Sequence, residues 1–118
     1  MDDGRPIFLQ IAELVERQII DGSLPEGAQV PSINEFAAFH RINPATALKG
    51  ITLLVDAGVL YKRRGIGMFV ADGARDRLIS ERRARFTTEY VQPLLREGAA
   101  LGLGAADLID LIRKESAS

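Results

Sequence analysis

Cysteine and tryptophan are absent from this 118-residue chain, and histidine occurs once, at His40. Without cysteine there is neither a disulfide framework nor a thiolate metal site, and a single histidine without ligand-type spacing around it gives no metal centre. No nucleophile stands near His40 and no paired carboxylates share a recognisable loop, so an enzyme reading has no residues to rest on. No cofactor is expected. The chain also lacks the roughly 18 consecutive apolar residues of a membrane span, and Met1-Asp2-Asp3-Gly4-Arg5 lacks the basic-then-apolar order of an export signal. A cytoplasmic protein without membrane contact is expected.

What is present suits one ordinary folded core: 47% apolar residues, 26% charged, and a mean hydropathy near zero. A net charge of -1 and a pI near 5.8 run against a nucleic-acid partner when taken in bulk. The distribution reverses that inference. Residues 1–39 hold two basic and seven acidic side chains, residues 40–64 hold five basic and one acidic, and the remainder balances at eight each. Positive charge is concentrated in one short stretch.

Pro6 suits the first turn of a helix, and Ile7, Ile11, Leu14, Val15, Gln18 and Ile19 recur at helical spacing until Gly22. Gly22 to Ala28 is turn chemistry. Ser32 followed by Glu35 is a capping box that predicts a short helix from Ile33 to about Phe39. Asn43-Pro44 is a second start signal, for a helix whose apolar positions are Ala47, Leu48, Ile51, Leu54 and Val55 and which ends at Gly58. Only His40-Arg41-Ile42 separates the two, the short connection of a helix-turn-helix. Val59-Leu60-Tyr61 and Met68-Phe69-Val70 then favour strand around a basic turn, Lys62 to Gly67.

Helix, helix-turn-helix and hairpin follow one another in the order of a winged helix, and each part has a physical role on DNA. The third helix fits the major groove, where Asn43, Thr46 and Lys49 are candidates for base edges. Lys62, Arg63 and Arg64 can meet phosphates on a wing in which Gly65 and Gly67 allow close backbone approach. Ser32 and Asn34 open a helix whose free N–H groups suit a phosphate, and Arg41 supplies a cation in the connecting turn. Blander readings stand beside these: Ser32 and Asn43 as caps alone, Lys62-Arg63-Arg64 as a solvated turn, Gly65 and Gly67 as turn glycines, His40 as a plain surface residue. Protein–protein contact through the same winged helix is the alternative function, supported by the acidic N-terminal third.

The segments Pro6-Ile7-Phe8, Gly22 to Gly27, Val30-Pro31-Ser32-Ile33-Asn34-Glu35-Phe36-Ala37, Asn43-Pro44-Ala45-Thr46 and Gly58 to Val70 resemble the DNA-binding domain of the GntR family of bacterial regulators. Asn-Pro-Ala-Thr, the Arg-Arg-Gly-Ile-Gly-Met-Phe-Val hairpin and a short C-terminal region resemble its YtrA subfamily. The resemblance implies a dimeric repressor acting on a pseudopalindromic operator, with a small-molecule effector of undetermined chemistry and a link to transporter operons. It carries over Ser32, Thr46, Gly65 and Gly67. Arginines common in the family are replaced here by Asn34, Pro44 and Leu48, and Leu48 is read as facing the core. Base specificity then falls to Asn43, Thr46 and Lys49.

Beyond Asp72-Gly73 one helix is predicted from Ala74 to Arg96 and another from Ala105 to Lys114. Arg82, Arg83 and Arg85 can pair with Glu81 and Glu89. Pro93 removes one backbone hydrogen bond and is a kink site. The chain is therefore read as mainly α with a small β-hairpin: a winged helix-turn-helix over residues 1–72, then a two-helix dimerisation segment over 73–118. Ile79, Phe86, Tyr90, Leu94, Leu108 and Leu111 are expected at the dimer interface, folding back onto the chain's own winged domain being the alternative.

Overall fold

The structure, a computed structural model, describes residues 4–118, so the part of the export-signal argument that uses Met1 to Asp3 lies outside the described residues. The chain forms two compact units, one reaching to Ile79 and the other spanning Ser80–Ser118.

In the first unit, α1 (Ile7–Asp21) starts one residue later than Pro6 suggested, since Pro6 is the N-cap with ψ at 136°. Its inner face is Ile11, Val15 and Ile19, and Gly22 ends it with φ at 86°. Gln10 is also buried, and its amide donates to the Arg5 carbonyl oxygen at 2.8 Å, which removes the cost of an unpaired polar group. Helix α2 (Ile33–His40) carries the expected box: Glu35 N–H donates to Ser32 Oγ at 3.2 Å and Ser32 N–H to Glu35 Oε1 at 3.4 Å. Helix α3 (Pro44–Asp56) is capped by Asn43, whose Oδ1 accepts from Ala45 N–H at 2.7 Å. Such caps each contribute about 1 kcal/mol.

Helices α1 and α3 touch at Gly50. A Cβ there would lie 2.6 Å from the Phe8 carbonyl oxygen and 2.9 Å from Ile11 Cγ2, so only glycine permits this approach. Ala47, Ile51 and Leu54 continue the buried face of α3. Strands β1 (Leu60–Arg63) and β2 (Gly67–Val70) pair antiparallel, with Leu60 opposite Val70 and Arg63 opposite Gly67. The hairpin is longer and its turn tighter than the residue types indicated, because Lys62 and Arg63 belong to β1. On the free edge of β2 the loop adds a short third rung: Val30 N–H donates to the Met68 carbonyl at 2.8 Å and Val70 N–H to that of Ala28 at 3.0 Å.

Helix α4 (Ala74–Phe86) begins inside this unit, where Ala74 and Leu78 are buried with Val59, Leu60 and Val70. Leu78 thus joins the first unit's core six residues past the boundary expected at residue 72.

In the second unit, Thr87–Val91 is a π-helical turn leading into α5 (Gln92–Ala100). Gln92 N–H bonds to the Thr87 carbonyl, five residues back. Pro93 explains this widening. It has no N–H for the Glu89 carbonyl, and its ring would collide with that group in a regular α-helix. Gly102, with φ at 75°, turns the chain into α6 (Ala105–Ser116), whose first turn is closed by Gly104 N–H donating to Asp107 Oδ2 at 2.9 Å. Leu108 is buried, and its Cδ1 would lie 2.9 Å from a Cβ on Gly98, so α5 and α6 meet at a small-residue contact. Among the described residues no helix is long and apolar enough to cross a membrane.

Candidate nucleic-acid interface

The first residues of α2 and α3, the turn between them and the wing bring most of the sequence-predicted residues onto the surface of the first unit. Ser32, Asn34, Arg41, Asn43, Lys49, Lys62, Arg63, Arg64 and Gly65 are exposed, and Thr46 and Gly67 are half-buried. Ser32 and Asn43 serve as caps, so the hydroxyl and amide oxygens that face N–H groups are occupied within the chain.

Arg41 ends α2 in the left-handed region, with φ at 55° and ψ at 50°. It is the only positive-φ residue other than glycine among those described. Ile42 N–H closes the motif on the Ala37 carbonyl at 3.0 Å. Glycine is the usual occupant of such a position, and an arginine held there stores strain beside an exposed guanidinium.

The three wing cations separate by strand alternation. Lys62 lies opposite Met68, on the same side as buried Leu60 and Val70, and lines a groove facing α3. Arg63 is on the reverse face, where its guanidinium stands 5.5 Å from the Phe69 ring, itself stacked on Tyr61 at 5.7 Å. Arg64 belongs to the turn, closed by Ile66 N–H on the Arg63 carbonyl at 3.0 Å, with Gly65 at φ 76°. One basic run in the sequence thus becomes three directions in space.

Lys49 leaves α3 sideways toward α1, with its ammonium 4.0 Å from the centre of the Phe8 ring. Leu48, read from the sequence as a core residue, is 52% exposed. The apolar pattern misled because Ala47, Gly50, Ile51 and Leu54 already complete the buried face, leaving Leu48 on the far side with Thr52. Leu48, Thr52 and Val55 form one wall of a groove of about 740 Å³; Lys62, Ile66 and Met68 form the other, and Ser32 and Glu35 close one end.

One residue of the site, Gln29, and one of the core behind it, Gly50, escaped sequence reading. Gln29 donates from Nε2 to the Ile66 carbonyl oxygen at 3.1 Å and covers Gly67, where a Cβ would meet that nitrogen at 2.6 Å. A lone polar residue in a loop carries no signal for this. Gly50 did carry one, as a glycine inside a helical pattern. His40 contacts Phe36 and Phe39 at ring distances of 4.3 and 4.9 Å, an aromatic packing role.

Residues 8–70 match the bacterial regulatory proteins of the gntR family. The HTH-type transcriptional repressor YtrA of Bacillus subtilis is 26% identical over 112 residues, covering 95% of this chain and 85% of that protein. A GntR family transcriptional regulator from Listeria monocytogenes shares the fold along nearly the whole length, with a TM-score of 0.77 at 24% identity over 97% of this chain and 98% of that one. The DNA-binding domain of AraR, solved in complex with operator ORX1, matches with a TM-score of 0.56 at 30% identity, covering 60% of this chain and 86% of that one.

Proposed function

This chain belongs to the gntR family of bacterial regulatory proteins and is a DNA-binding transcriptional regulator, and we propose that it works as a cytoplasmic, dimeric repressor of YtrA type on a pseudopalindromic operator. The observation that carries the reading is the placement of α3, the N-terminus of α2 and the wing around one open groove bordered by Lys62. Helix α3 enters the major groove, and the wing follows the neighbouring backbone. Ser32, Asn34, Arg41 and Lys49 serve phosphates; Asn43 and Thr46 lie nearest the base edges; Arg63, Arg64 and the backbone at Gly65 and Gly67 complete the wing contact. The AraR domain bound to its operator and the repressor YtrA support this assignment. The role is binding, and we assign the chain no reaction.

The second unit supplies the dimer contact. Phe86, Tyr90, Leu94 and Leu111 are exposed there, Phe86 and Tyr90 with ring centres 5.3 Å apart, and an apolar groove of about 370 Å³ runs beside Leu94, Leu111 and Ile112. Leu108, buried against Gly98, also lines that groove, at its floor. Ile79, also expected at the interface, is half-buried and is the last residue of the first unit. A second copy is the fitting occupant, since two half-sites spaced by whole helical turns need a two-fold protein.

Selection of bound sequences from random duplex DNA tests the reading, combined with the mass of the free protein by light scattering. An inverted repeat and a dimeric mass are expected. A monomeric mass at micromolar concentration removes the dimer, and failure to enrich any sequence removes operator recognition.

A further inference from the structure

Helix α3, Pro-Ala-Thr-Ala-Leu-Lys-Gly-Ile-Thr-Leu-Leu-Val-Asp, contains no arginine, and its one lysine leans onto Phe8 of α1. The bidentate arginine–guanine contact that dominates direct readout is therefore not open to this helix. What its outer face presents is aliphatic: Leu48, with Ala45 one turn before it and Thr52 one turn after, all exposed. Leu48 stands in the wall of the α3–wing groove, with the Lys62 ammonium stem and Ile66 across from it. Glu35 at the end of that groove is engaged in the capping box, its Oε1 3.4 Å from Ser32 N–H.

A half-exposed leucine on the element that meets base edges gains by covering apolar surface there. In the major groove only one base edge is apolar, the C5-methyl of thymine. We infer that Leu48 is a specificity-determining residue that selects thymine by packing on its methyl group, assisted by the Thr52 methyl. The inference rests on the DNA-binding reading above and adds the base that is read. Positive charge on the Lys62 wall holds the backbone near the groove, and selectivity comes from methyl burial.

The test uses the full chain and the sequence recovered by selection from random DNA. Each thymine of that site is replaced in turn by deoxyuridine, which removes the C5-methyl and leaves every hydrogen-bonding group in place. Affinity is measured by fluorescence anisotropy for the wild type and for Leu48→Ala. At one thymine or more per half-site the substitution weakens the wild type by about 3- to 5-fold, as expected for one buried methyl. Leu48→Ala binds the thymine and uridine duplexes equally at that position while still unfolding cooperatively on heating. Uridine that is silent at every position overturns the inference, as does an undiminished uridine penalty in Leu48→Ala. If the wild type enriches no sequence, the DNA-reading premise fails first, and that result is distinct from enrichment without methyl sensitivity.

Discussion

Arg75 reaches from the first turn of α4 to the last turn of α1, where its Nε donates to the Ile20 carbonyl oxygen at 2.9 Å. Its backbone N–H also donates to Glu26 Oε1 at 3.3 Å. A guanidinium placed on the carbonyl end of α1 satisfies a group the helix leaves open and complements its dipole. The start of α4 is thereby tied to the DNA-binding unit at two points.

Arg75→Ala is expected to lower the unfolding free energy by about 1 kcal/mol, the usual net worth of such a bond. Urea melts measure the loss, and hydrogen exchange of the 74–79 amides should quicken with it. An unchanged midpoint would show that burial of Ala74 and Leu78 alone seats the helix.

Gly50→Ala sets two effects against each other. Alanine improves helix propensity by roughly 1 kcal/mol, whereas the added methyl collides with backbone at Phe8 and with Ile11. Overpacking costs about 1–3 kcal/mol, so net destabilisation is expected in thermal unfolding. A rise in the midpoint would mean that α1 and α3 separate without penalty.

Arg41→Gly should part stability from binding. Relief of the left-handed backbone is worth up to about 1 kcal/mol, which raises the midpoint by a few degrees. Loss of the guanidinium should weaken DNA binding and reduce the salt slope by about 1. A variant that keeps wild-type affinity and slope would take Arg41 out of the phosphate contacts.

The wing cations should separate in mutants as they do in space. Arg63→Ala with Arg64→Ala is expected to flatten the salt slope by about 2 and leave the preferred sequence intact. Lys62→Ala, on the groove side, should lower the slope by about 1. Titrations between 50 and 200 mM salt decide both, and an unchanged slope in the double variant would remove the outer wing face from the interface.

Local chemistry was legible where it acts within a few residues. Ser32 with Glu35 and Asn43 with Pro44 announced two helix starts, and Gly22 announced an end. Side-chain direction was less legible, since it depends on which neighbours fill the core first. Leu48 looked internal by periodicity and proved external because Gly50 and Ile51 bring α1 close on the other side. Lys62 and Arg63 looked equivalent until strand pairing extended through them. Pro93 marked a perturbed helix, but its form, a π turn rather than a break, depends on how the whole helix accommodates one missing N–H.

The Gln29 amide fastens the end of the wing turn to the loop through the Ile66 carbonyl. Each wing strand has four residues, and a slide of one place would turn every side chain to the opposite face, taking Leu60 and Val70 out of the core. Such a shift would carry Lys62 outward, turn Arg63 toward α3, and exchange a slender ammonium for a broad planar cation beside Leu48. The Gln29 amide and the Val30 and Val70 backbone bonds together fasten β2 to the loop, so residues that need never approach the DNA help to seat the strand on which Lys62 is paired.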